Sequence, residues 1–355
     1  EADFALSFKG DGKFMAFSYL AQSLRKKYFH FFRSLVKSSV LRIQNPLNHM
    51  SLLTVGTVAF DSIETPWGKA ERIVGGAATY ISLAASYFSR PVHLVSVIGD
   101  DFPEGELQHM ETRGVDLEGL QRLQGERSFF WAGRYHDNMN ARDTIDTQLN
   151  VLADFDPVLP PAYRKPAFLM LGNLTPAVQR RVLDQLEERP RLVVLDTMNF
   201  WMNTALDSLL EVIARVDVLV INDEEARQLS GEHSLVKAAE KILKMGPQTL
   251  VIKKGEHGAL LFSGESVFFA PALPLAEVFD PTGAGDTFAG GFVGYLAQTG
   301  DLSFENMKRA VIYGSAMASF CVERFGIERL KELTDIDIKK RVQAFVNLVN
   351  FDAQL

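Results

Sequence analysis

Four short apolar runs between positions 168 and 252 decide the fold: Phe168-Leu169-Met170-Leu171, Leu192-Val193-Val194-Leu195, Val218-Leu219-Val220-Ile221 and Leu250-Val251-Ile252. Each is continuously apolar rather than alternating, the pattern of a strand covered on both faces. Between them lie stretches of helical periodicity, Pro176–Glu187 and Ala205–Ala214, long enough for crossovers between parallel strands. Working outward toward the N-terminus, Leu52–Val58 and Val92–Val97 read as further strands, with helical patterns at Ala77–Phe88 and Glu104–Arg113. This alternation predicts an α/β fold: a doubly wound, mostly parallel sheet with helices on both faces.

Two stretches interrupt the rhythm. Segments 62–74 and 127–152 are mixed, with period-two character in Phe129–Tyr135 and Asp143–Leu149 and a polar turn near Asn138–Asn140. Exposed antiparallel strands have this form, so a small β lid projecting from residues 50–355 is expected. An ordinary surface hairpin is the alternative.

With 355 residues and 47% hydrophobic content, the chain can bury a large core. Its single cysteine, Cys321, excludes an internal disulfide framework and reads as packing, and no Cys/His cluster has zinc spacing. A reducing, cytoplasmic compartment is the simplest expectation. The net charge of −7 speaks against nucleic acid as a partner, since no phosphate-tracking surface follows from it. Charge is uneven, however: the first fifty residues carry eight basic and three acidic side chains, a balance of +5 that leaves −12 for the rest. Residues 1–49 are also rich in Phe and Tyr, with Tyr28, Phe32 and Leu35 at helical spacing. They fit a targeting or membrane-surface segment, a helix docking on a partner, or an extension outside the catalytic fold; the last is preferred, because Met50 directly precedes the first convincing strand. No run reaches the roughly 18 apolar residues that span a bilayer.

The chemistry is concentrated in Val278-Phe279-Asp280-Pro281-Thr282-Gly283-Ala284-Gly285-Asp286-Thr287-Phe288, where an apolar approach passes through two glycines into the helical run Phe288–Leu296. A glycine-rich turn opening a helix leaves backbone N–H groups free to face an anion, and the helix dipole adds about half a positive charge. Asp286 stands beside that cradle, where a carboxylate suits proton acceptance and not phosphate binding. The plainer alternative makes Asp280 a turn former and Asp286 a helix-start acid. Walker A is absent, and Gly283-x-Gly285 lacks the third glycine of a dinucleotide fingerprint.

Asp280–Phe288 matches throughout the signature Asp-x-x-Gly-Ala-Gly-Asp-x-Phe, and the chain from about Leu52 to its last helices resembles the ribokinase-like (PfkB) carbohydrate kinases. The resemblance implies ATP-dependent phosphoryl transfer to a hydroxyl of a small sugar or nucleoside, with Mg2+. Asp286 is then the catalytic base, with Gly283, Ala284 and Gly285 as the anion hole. Gly75-Gly76-Ala77-Ala78-Thr79-Tyr80 is similar to the family's N-terminal glycine pair. It places Gly75 and Gly76 with Asp61 and Asp286 at the substrate; Tyr80 stands where many members carry Asn. Val97-Ile98-Gly99-Asp100-Asp101-Phe102 resembles a further glycine-aspartate stretch, expected to be structural, although Gly105 falls one residue late.

On the nucleotide side the resemblance implies Asp196, Asn199, Asn222, Lys253, Lys254, Gly255, Gly258, Thr282, Gly283 and Gly285. Glu225, in a stretch similar to the family's Asn-x-x-Glu motif, would bind the metal through water, because Mg2+ gives up its water reluctantly. Trp201 occupies the place where many members have arginine. Arg127, Arg134 and Arg142 in the lid are candidates to meet a phosphorylated acceptor, and a homodimer through the lid is a further expectation. Two alternatives stay open: a sugar-phosphate kinase, and a non-catalytic ligand-binding regulator of the same fold.

Overall fold

The structure, a computed structural model, describes residues 50–350. The basic segment 1–49 lies outside the described residues. The strands are β1 (Leu52–Val55), β2 (Ala59–Thr65), β3 (Gly68–Gly75), β4 (Val92–Gly99), β5 (Val115–Leu123), β6 (Phe129–Tyr135), β7 (Arg142–Gln148), β8 (Phe168–Leu171), β9 (Leu192–Asp196), β10 (Val218–Asn222), β11 (Thr249–Lys253), β12 (Ala259–Ser263) and β13 (Ser266–Ala270). Nine form one sheet in the order β13-β12-β11-β10-β9-β8-β1-β4-β5. From β12 outward the pairing is antiparallel, and every other pair is parallel.

Alternation of side chains along each strand explains why the runs are continuously apolar. Leu53, Val193, Leu219 and Leu250 enter the core on one face; Leu52, Val194, Val218 and Val251 enter the core on the other. The first face is covered by helices Pro176–Asp184, Leu206–Ile213 and Leu235–Leu243, the second by Ala77–Ala85, Ala284–Thr299 and Phe304–Cys321. Fully burying one such Val or Leu stabilises by about 1.5–3 kcal/mol, so the two layers carry most of the driving force. Gly290 and Gly294, four residues apart, let the helix they occupy press against Ala77–Ala85: a Cβ on Gly290 would lie 2.4 Å from Ile81 O and one on Gly294 would lie 2.8 Å from Ala85 Cα.

Strand order reverses between β1 and β8. From β1 the sheet grows through β4 to β5 on one side and through β8 to β13 on the other. Such a switch point opens a crevice at the C-terminal ends of the strands, the usual ligand position of open α/β sheets.

The second sheet, in the order β3-β2-β6-β7, is formed by the two segments expected to make the lid. It is not wholly antiparallel: β2 pairs with β6 in parallel, because the two segments come from separate excursions of the chain, with β2–β3 and β6–β7 each a hairpin. The lid strands also reach beyond the expected limits, Ala59–Gly75 in place of 62–74. The first strand correspondingly stops at Val55, and Ala59 onward belongs to the lid. Helix ends fall one to three residues short of the periodic patterns at Ala85, Thr112, Asp184 and Ile213, whereas the helix after the glycine turn starts at Ala284, four residues earlier than Phe288. Three further strands are not expected from the sequence: β5, which has no continuous apolar run, and β12 and β13, whose runs 259–262 and 267–270 follow directly on β11; all lie toward the sheet margins.

Candidate active site

Three strand ends bring polar side chains to the crevice. β9 ends on Asp196, β10 on Asn222 and β11 on Lys253. The Lys253 ammonium lies 3.1 Å from Asp196 Oδ2 and 3.3 Å from Oδ1. Asn222 caps the helix Asp223–Ser230 in a reciprocal box: its Oδ1 accepts from Glu225 N–H and Glu225 Oε2 accepts from Asn222 N–H, both at 2.8 Å. Glu225 is thereby held at the base of the crevice with Oε2 engaged. Burial first, and then the Asp196 carboxylate, push its pKa up to about 7 against the pull of Lys253.

The glycine turn enters from the opposite layer. Asp280 Oδ1 accepts from Thr282 N–H at 2.8 Å, and Oδ2 from Gly326 N–H at 2.9 Å, so this wholly buried carboxylate shapes the turn. Gly283, with φ of 73°, is the N-cap of Ala284–Thr299. Ala284 N–H closes the turn on Pro281 O at 3.2 Å. Among the described residues no backbone acceptor is found for the Gly283, Gly285 and Asp286 N–H groups, and the last two, on the first turn of the helix, are available to an anion. A Cβ on Gly285 would lie 3.0 Å from Lys253 Nζ, which sets the ammonium directly beneath the turn.

Asp286 follows on the first turn of this helix. Burial, then the Asp196 charge, raise its pKa to about 7, while Lys253 and Arg142 oppose the rise. Burial lowers Lys253, but Asp196, Glu225 and Asp286 together outweigh it and hold the amine charged. Three buried or half-buried carboxyl groups, Asp196, Glu225 and Asp286, therefore share one interior lysine.

Asp61 sits on lid strand β2, not at the end of β1, and is buried against the first glycine pair. A Cβ on Gly75 would lie 1.9 Å from Asp61 Oδ2, so only glycine admits the carboxylate there. Burial and the Asp280 charge raise Asp61 to about 7, Gly76 N–H lowers it, and the Asp286 charge also acts on it. Gly76, with φ of 92°, starts the helix Ala77–Ala85.

The remaining predicted residues divide. Gly255 and Gly258 line a cleft of about 670 Å³ together with Lys253, Ala284, Gly285 and the lid residue Asn140. Gly255 has φ of 54°, and a Cβ there would meet Asn140 Oδ1 at 2.6 Å. Gly258 is needed for closure of its own turn, since a Cβ would lie 2.0 Å from Ala270 O. Lys254 points away from Asp196, toward the Phe269 ring at 5.9 Å. Thr282 uses its hydroxyl to donate to Tyr135 Oη of the lid at 3.1 Å. Asn199 opens the short helix Asn199–Thr204 as an exposed residue. Trp201 donates from Nε1 to Asn173 Oδ1 at 2.8 Å. Gly99 is structural, as a Cβ would lie 2.2 Å from Glu126 O.

Among the lid arginines, Arg134 is taken by Glu64 in a bidentate pair at 2.9 and 3.2 Å. Arg142, opposite Tyr135 in the β6–β7 register, acts on Asp61, Asp286 and Glu225 alike. Its importance was invisible in sequence, because only the strand register places one of three arginines over the crevice.

Comparison with known proteins agrees with this fold. The family profile described as pfkB family carbohydrate kinase matches residues 66–332. The cytidine kinase of Thermococcus kodakarensis is 30% identical over 249 residues, 69% of this chain and 87% of that protein. The aminoimidazole riboside kinase of Salmonella typhimurium is 33% identical over 299 residues, 77% of this chain and 89% of that protein. In structure, an E. coli protein described as a ribokinase II, solved with ATP and Mg2+, superposes with a TM-score of 0.69 at 19% identity, covering 83% of this chain and 99% of that one. The nine-stranded, mostly parallel sheet with its small lid is the fold of these neighbours. Among the described residues no helix is long and apolar enough to cross a membrane.

Proposed function

This chain belongs to the pfkB family of carbohydrate kinases, and on that premise we propose that it transfers a phosphoryl group from ATP to a hydroxyl of a small sugar or nucleoside, with Asp286 as the base. The observation that carries the reading is the pairing, at one helix start, of the unpartnered Gly285 and Asp286 N–H groups with the Asp286 carboxyl. Donors there suit equatorial phosphoryl oxygens, and an acceptor beside them suits the attacking hydroxyl. A base poised near pH 7 is matched to its task.

The residues present fit Mg2+ and ATP. The cleft beside Gly255 and Gly258 offers close backbone approach, and the crevice holds more carboxylate than lysine. Glu225 keeps one oxygen outside its capping box, so it would hold Mg2+ through water, with Asn222, Asp196 and Lys253 on the same side. When bound, the metal supplies charge neutralisation for the phosphates. Asp61, Gly75 and Gly76 are assigned to the acceptor, where a carboxylate can accept two hydroxyl donors. Lid closure over the acceptor would exclude water and slow ATP hydrolysis. Exposed Trp67, Ile145 and Leu149 in the two lid segments offer the surface for a homodimer.

A panel of sugars, nucleosides and sugar phosphates, scored by ADP release with Mg2+ and ATP, tests this. Turnover with an unphosphorylated sugar or nucleoside is expected. Preference for a sugar phosphate would move the acceptor class, and silence across the panel would favour a ligand-binding regulator.

A further inference from the structure

We infer that Tyr80 is a positioning residue for the glycine turn and that its aromatic ring, not its hydroxyl, is what positions it; the inference rests on the turn being the anion site proposed above. Tyr80 lies in the helix Ala77–Ala85, one turn after the Gly75–Gly76 pair that receives Asp61, and only 1% of it is exposed. Its ring lies flat against Gly283. A Cβ built on that glycine would be 2.4 Å from Tyr80 Cε2 and Cζ and 2.5 Å from Cδ2. The ring and the turn backbone therefore occupy adjoining space with nothing between them.

The hydroxyl tells a different story. It is buried and has no hydrogen-bond partner among the described residues. An unsatisfied buried hydroxyl costs stability, so hydrogen bonding does not explain a tyrosine here. Burial, then the charges of Asp280, Asp61 and Asp286 together with the Cys321 thiol, keep the phenol protonated, so it brings no charge to the site. Nor does Tyr80 line the cleft beside Gly255. What remains is volume in a close-packed layer. The ring fills the gap between the acceptor-side helix and the turn, and stops Gly283, at φ of 73°, from sinking toward Ala77–Ala85. Gly285 and Asp286 N–H stay aimed outward because Gly283, just ahead of them in the turn, rests on a rigid surface. Misplacement by an ångström is enough to cost a large factor in rate.

The test compares Tyr80→Leu with Tyr80→Phe, measuring kcat, acceptor KM, ATP KM and melting temperature in the assay of the parent chain. Loss of the ring in Tyr80→Leu should lower kcat at least about 20-fold while acceptor KM stays within about threefold, because the defect is in the turn. Restoring the ring in Tyr80→Phe should bring kcat back to within about threefold of the parent and melt at or above it. An acceptor KM that rises in Tyr80→Leu with kcat intact would make the ring a substrate contact and overturn the inference. So would a folded Tyr80→Leu with parental kcat, or a Tyr80→Phe as slow as the leucine variant. If the leucine variant does not fold, the phenylalanine variant decides: retained kcat supports the inference and a 20-fold loss ends it. A parent silent with every acceptor overturns both this inference and the proposed function, whereas an active parent with an unaffected leucine variant counts against the inference alone.

Discussion

Lys253 Nζ bonds to both carboxylate oxygens of Asp196, joining the ends of β11 and β9 across the intervening β10. Three carboxyl groups, Asp196, Glu225 and Asp286, depend on this ammonium. Tyr80 meets the same turn from the helix Ala77–Ala85, so the glycine stretch is held between a charge and a ring.

Replacing Lys253 by Met should therefore do two things. Asp196 is left as a buried, unpaired carboxyl, which should cost about 3 kcal/mol of stability. The cation that lowers Asp286 disappears, so Asp286 should titrate above 7 and the acid limb of the rate profile should move to higher pH. Turnover at pH 7 should drop at least about tenfold and recover in part at pH 9, as a pH–rate series with a melting curve would record. An acid limb that stays in place would separate Lys253 from the base.

For Asp286 itself, a base must be ionised to act. With its pKa raised to about 7, parental kcat should climb as pH rises through 7. Asp286→Asn should keep the fold and ATP binding, lose at least about 10²-fold in phosphoryl transfer and lose the acid limb with it. Undiminished turnover would refute the assignment.

Asp61→Asn should trade function for stability. The folded-state pKa of Asp61, about 7, exceeds its ordinary 3.8, so the folded chain holds a proton that the unfolded chain releases. Its contribution is full below pH 3.8 and is lost as pH rises through 7. The unliganded variant should resist urea better than the parent at pH 8, by on the order of 1–4 kcal/mol, and by less at pH 5. Acceptor KM should rise at least about tenfold with the loss of a charged acceptor. Equal urea midpoints at both pH values would remove the buried-acid account.

Arg142→Gln and Arg134→Gln form a paired control. Arg142 lowers Asp61, Asp286 and Glu225, so its loss should raise the Asp286 pKa and cut turnover at pH 7 by about tenfold. Arg134→Gln breaks only the exposed pair with Glu64, an interaction with a typical stability of 0–1 kcal/mol, and should leave turnover as it was. Equal losses in both variants would mean that the lid as a whole, and not one guanidinium, is being disturbed.

Much of the site was readable before any fold was known, because glycine has few reasons to recur beside acids at a helix start. Gly75, Gly76 and Gly283 all abut a side chain or backbone atom that a Cβ would strike, and a Cβ on Gly285 would crowd Lys253 Nζ. The two lysines show the limit. Lys253 and Lys254 are adjacent and chemically identical, yet the first, at the end of β11, enters the crevice while the second, in the turn that follows, lies toward Phe269. Tyr80 is marked in the sequence only as standing where many members carry Asn, and it is packing that puts its ring behind Gly283.

By itself the amino-acid order determined the layered α/β plan, the helix-opening turn and the residue types that accompany it, since periodicity and backbone freedom are local properties of the chain. Tertiary structure decided which charges meet. Asp196, Glu225, Lys253, Asp286 and Arg142 come from five different elements, and their coupling depends on distance through a low-dielectric interior, which strand order and register set and no local pattern records.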